Sequence, residues 1–169
     1  GRDRDITGFG FLAGFAPGTR PMVLEPGYAK KIPAGSRLTF QMHYTPIGSP
    51  QKDRSGIGLV YTSREEVTHL RSTTNASNHD FVIPAGASNY EVVAEKKFPR
   101  DTLLISLFPH MHVRGKAFRY EVKYPDGKHE VLLDMPGYDF NWQTNYILSA
   151  PKMLPKGTEM VCTALFDNS

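Results

Sequence analysis

Phe118-Arg119-Tyr120-Glu121-Val122-Lys123-Tyr124-Pro125-Asp126-Gly127-Lys128-His129-Glu130-Val131-Leu132-Leu133 reads as two strands joined by a tight turn. Proline at 125 fixes φ for the first corner, and Gly127 accepts the positive φ that a hairpin of this kind needs. Residues 118–124 and 130–133 are the flanking strands. Outward from them the same rhythm recurs: strand candidates at 90–94, 103–108, 146–148 and 159–166, with turn residues between. Nearer the start, Pro33-Ala34-Gly35 turns into residues 37–44, where Leu38, Phe40, Met42 and Tyr44 alternate with Arg37, Thr39, Gln41 and His43. That period of two predicts a strand, and residues 57–61 predict another. Residues 1–35 read as loop and short strand, and polar residues 63–80 as a long loop or inter-domain link. No run has helical spacing and no repeat is present. The expected class is all-β, most simply a β-sandwich.

Composition narrows the function. The chain has 169 residues, 40% hydrophobic and 22% charged, which is ordinary for a globular protein. Its 20 basic and 17 acidic residues give a net charge of +3 with no long basic run, so nothing marks a nucleic-acid surface. No apolar stretch reaches the roughly 18 residues of a membrane span. The single cysteine, Cys162, excludes an internal disulfide and sits in the apolar run Met160-Val161-Cys162-Thr163-Ala164-Leu165-Phe166, where a buried, inert thiol is expected. The chain starts Gly1-Arg2-Asp3-Arg4 without a signal peptide or initiator methionine and reads as a piece of a longer protein.

Among six histidines, His110 and His112 stand out in Leu107-Phe108-Pro109-His110-Met111-His112-Val113-Arg114-Gly115. On a strand, residues i and i+2 leave the same face, so two neutral imidazoles could share an ion such as copper, zinc, iron or nickel. The pair equally fits two surface histidines on an edge strand. A cupin also uses His-x-His, but needs a carboxylate where this chain has Gly115 and Lys116. His43 shares a strand face with Gln41, and alone it reads as surface. Tyr138-Asp139-Phe140-Asn141-Trp142-Gln143 reads as aromatic packing plus a turn, or else as a wall beside a metal. Asn75-Ala76-Ser77 fits a glycosylation acceptor pattern that also occurs often by chance. No nucleophile elbow, P-loop or His-Glu-x-x-His is present.

Taken in order, Gln41-Met42-His43-Tyr44, Ser55-Gly56-Ile57 and Phe108-Pro109-His110-Met111-His112-Val113-Arg114-Gly115 resemble the copper type II, ascorbate-dependent monooxygenases. Residues 118–122 through Phe140-Asn141-Trp142-Gln143 look more like bacterial members, which often share a chain with a c-type haem domain. The resemblance implies two jelly-roll-like antiparallel domains and two copper ions in the complete protein. Residues 1–70 would be the tail of the first, electron-relaying domain, and 71–169 most of the second, catalytic one. His110 and His112 would be catalytic copper ligands, with His43 on the other copper and Gln41 near it. The activity implied is hydroxylation of a C–H bond of a small molecule with O2 and an external reductant, in the periplasm or outside the cell. The family's adjacent His-His pair would precede Gly1, and its methionine ligand would follow Ser169, so these 169 residues alone are expected to be inactive. Met111 should point away from the histidines. Phe108 stands where the peptide-hydroxylating member has a carboxylate-holding arginine, which argues against a peptide with a free C-terminus as substrate. The alternatives are a non-catalytic metal-binding or scaffold module in a larger exported protein, and a zinc-binding cupin-like lectin.

Overall fold

The computed structural model describes residues 11–16 and 18–169; the reading of residues 1–35 extends over residues 1–10 and 17, which lie outside this set. The chain divides into two compact units: Val23–Ser72, and Thr73–Ser169 together with the described residues up to Met22.

The Val23–Ser72 unit has little regular structure. Strands β1 (Tyr28–Ala29) and β2 (His69–Leu70) pair in parallel, and the Tyr28 and His69 rings stack at 4.6 Å. A 3-10 turn at Arg64–Glu66 is capped by Ser63, whose N–H donates to the Glu66 carboxylate at 3.2 Å. The polar stretch 63–80 is therefore not loop throughout. Residues 37–44 and 57–61, expected as strands, have none. A strand exists only where a neighbour takes up its N–H and C=O groups. Among the described residues of this unit, the ladder is limited to the short β1–β2 pair. The alternating apolar set is left exposed instead: Leu38 by 50%, Phe40 by 54% and Tyr44 by 65%.

The other unit is an all-β sandwich. Strands β3 (Tyr90–Lys97), β5 (Gly115–Lys123), β6 (His129–Met135) and β8 (Glu159–Phe166) form an antiparallel sheet in the order β3-β8-β5-β6. Strands β4 (Thr102–Leu107) and β7 (Tyr146–Leu154) form a second antiparallel pair. Leu107 and Leu154 from the small sheet meet Tyr120, Val122, Met160 and Cys162 from the large one, with Phe98 beside them. Val122 and Leu154 are fully buried, and each contributes on the order of 1.5–3 kcal/mol by leaving water. The Cys162 thiol is buried in this core, and burial pushes its pKa up to about 12, so it stays protonated and inert.

The hairpin that organises the sequence is present. Gly127 has φ of 85°, its N–H donates to the Tyr124 carbonyl, and Tyr124 N–H donates to Lys128 O at 2.8 Å. Strand β7 runs well past residue 148, through Pro151. Proline is tolerated there because the β4–β7 register shifts between Leu104 and Ser106, where a bulge leaves ladder groups unpaired.

Candidate metal centre

His110 and His112 lie just beyond the end of β4, in the connection to β5, rather than within a strand. The period of two continues through the connection nonetheless. Pro109 and Met111 are buried, while Phe108, His110 and His112 are exposed. The two imidazoles therefore emerge on one side, with ring centroids 5.2 Å apart and planes at 80°. Met111, 3% exposed, points the other way. The Phe108 ring lies nearly parallel to His110, centroids 6.2 Å apart.

What holds this segment is a set of bonds from distant residues. The Tyr138 hydroxyl donates to Met111 O at 2.6 Å and accepts from Met111 N–H at 3.0 Å, gripping the peptide groups between the histidines. Desolvation raises the pKa of that phenol, which keeps it a donor. Tyr138 N–H in turn donates to Lys116 O, and Gly115 N–H closes a turn onto His112 O, each at 2.8 Å. Asp167 N–H, after β8, donates to Arg114 O at 2.9 Å. Gly115 is where Tyr138 crosses the chain. A Cβ there would lie 2.8 Å from both Met111 Cβ and Tyr138 Cδ1. The β5–β8 register also shifts between Gly115 and Ala117, a bulge beside the site.

Gln143, 3% exposed, reaches His110: its Oε1 is 2.6 Å from Nδ1, while its Nε2 donates to Phe140 O at 2.9 Å. The loop carrying Gln143 is backed by residues far up the chain. Thr19 Oγ1 donates to Gln143 O at 3.1 Å, and Gly18 packs against Trp142. Of the two readings of residues 138–143, packing plus a turn describes Tyr138 and Gln143, whereas Trp142 is 58% exposed.

His43 and Gln41 lie in the Val23–Ser72 unit, both exposed and outside any strand. Among the described residues, no group of three or more His, Cys, Asp or Glu side chains is arranged to hold a metal ion. The structure thus brings the imidazoles of His110 and His112 together and places His43 in no group of three or more such side chains among the described residues. Sequence reading missed Gln143 and Tyr138 as supports of the pair, and only their place in an unusual aromatic cluster hinted at a role. No helix among the described residues is long and apolar enough to cross a membrane. Comparison with protein-family models, curated proteins and solved structures gives no match.

Proposed function

We propose that His110 and His112 are ligands of a copper ion, and that the chain is part of a protein that hydroxylates a C–H bond with O2 and an external reductant. The observation that carries this reading is the pair of imidazoles standing edge to face on one side of a braced segment. An all-nitrogen, neutral donor pair suits copper, and a buried partner on a ligand histidine is the usual companion of a metal centre. The ordered motifs shared with the copper type II monooxygenases favour copper among the metals that imidazole binds.

In this reading His110 and His112 hold the ion, and Tyr138 and Gln143 keep both rings in place. Phe108, stacked beside His110, offers the substrate an apolar neighbour and no charge for a carboxylate. Bound copper would supply the one-electron chemistry by which O2 is activated. One oxygen atom enters the substrate and the other leaves as water, with electrons and protons drawn from the reductant. By the resemblance, a methionine would complete the ligand set. His43 belongs in the same proposal to a second copper in the other unit, with Gln41 near it. A jelly-roll arrangement, an exported location and a c-type haem partner are inherited from the same resemblance.

Copper retained per chain after loading and desalting tests the assignment. His110→Ala and His112→Ala each change an exposed side chain and should fold, and each should lose the ion. Unchanged copper content in either variant overturns the assignment. The two-ligand set also suits a non-catalytic copper-binding module. Oxidation of reductant coupled to a hydroxylated product in the complete protein decides between the two.

A further inference from the structure

We propose that Gln143 is a positioning residue that holds His110 in the tautomer with its proton on Nδ1, so that Nε2 carries the lone pair offered to a metal. The argument starts from the amide. Its Nε2 donates to Phe140 O at 2.9 Å, and turning the amide over would set Oε1 against that carbonyl, acceptor on acceptor. The end facing His110 is therefore Oε1, at 2.6 Å from Nδ1. An acceptor at that distance requires the N–H on Nδ1, because the hydrogen bond made by one ring nitrogen sets the state of the other.

The amide cannot readily turn away. Gln143 is 3% exposed, so water does not compete for it. Its backbone carbonyl is held by Thr19 Oγ1. The turn before it is closed by Trp142 N–H on Asp139 O at 3.0 Å and Asn141 N–H on Asp139 Oδ1 at 2.8 Å. Behind Trp142, a Cβ on Gly18 would come within 3.3 Å of the tryptophan backbone. Residues in three separate parts of the chain thus converge on the orientation of one imidazole.

The consequence for metal binding rests on the copper reading above, but the first readout needs no metal. In the metal-free protein, nitrogen-15 NMR of the imidazoles should show His110 protonated at Nδ1. Gln143→Met keeps the side-chain length and removes the acceptor. It should release the tautomer and weaken copper binding roughly ten- to hundredfold, the range for loss of such a partner. A wild-type His110 protonated at Nε2 overturns the inference, as does a Gln143→Met variant with wild-type tautomer and affinity. A wild-type chain that takes up no copper, yet loses its Nδ1 proton preference in Gln143→Met, supports the role of Gln143 and sinks the copper assignment alone.

Discussion

Gly115→Ala should destabilise the C-terminal unit well beyond what one methyl group normally costs. The added carbon would sit 2.8 Å from Met111 Cβ, 2.8 Å from Tyr138 Cδ1 and 3.0 Å from Tyr138 Cε1. Carbon atoms rest comfortably at about 3.5–4.0 Å, so each neighbour must retreat by a large part of an ångström. Neither is a flexible tip. Met111 is 3% exposed with both its peptide groups bonded to Tyr138, and Tyr138 is tied at its hydroxyl and its backbone N–H. Overpacking of this kind costs about 1–3 kcal/mol, and the doubly anchored neighbours put it in the upper half, about 2–3 kcal/mol. At roughly 4 °C per kcal/mol for a domain near this size, the melting temperature should fall by about 8–12 °C. Gly137→Ala is the matched control: the position meets no atom within 4 Å and has no positive φ, so its effect should stay within about 0.5 kcal/mol. Urea denaturation of the two variants beside the wild type provides the comparison. A Gly115→Ala variant as stable as Gly137→Ala would refute the claim that Tyr138 is wedged across the histidine segment.

Tyr138→Phe removes the hydroxyl that serves both Met111 N–H and Met111 O. It should cost about 1–3 kcal/mol by urea denaturation and lower copper affinity at the pair, and retention of both values would count against the clamp. Thr158 is fully buried, and its hydroxyl has no hydrogen-bond partner among the described residues. Thr158→Val should therefore be neutral or stabilising by about 1 kcal/mol in thermal unfolding, and a clear loss would reveal a partner. The Cys162 pKa is raised by burial from 9.0 to about 12. Its neutral form favours folding, so that contribution is intact below pH 9 and is lost as pH rises towards 12. At 1.36 kcal/mol per pH unit the loss amounts to at most about 4 kcal/mol. Cys162→Ala should flatten stability against pH in that window, and an unchanged slope contradicts the buried thiol.

The elements that the sequence announced are those with local signals. The hairpin at Pro125–Lys128 announces itself because φ constraints at Pro125 and Gly127 act within the turn itself. Strand β8 does so through its apolar run, since a central strand with neighbours on both sides has little polar face to show. Residues 37–44 carry as clear an alternation, yet pattern describes only the willingness to pair, and pairing also needs a partner within reach. At the candidate site, the spacing of His110 and His112 was enough to bring their rings to one side, even though the strand ends before them. Gln143 is 33 residues from His110 in sequence, and its contact depends on how the 136–145 loop folds back, which no periodicity encodes. Gly115 could be seen in the motif, but its reason, the ring of Tyr138 lying against it, required the folded chain.

The central claim is that one copper ion is shared by two neighbouring rings. Diffraction from crystals soaked in a copper salt, recorded at the copper absorption edge, addresses it without mutation or turnover. The account predicts an anomalous peak within bonding distance of both His110 Nε2 and a ring nitrogen of His112. A fully loaded crystal whose peak lies elsewhere, with these two imidazoles unmoved and bare, contradicts it.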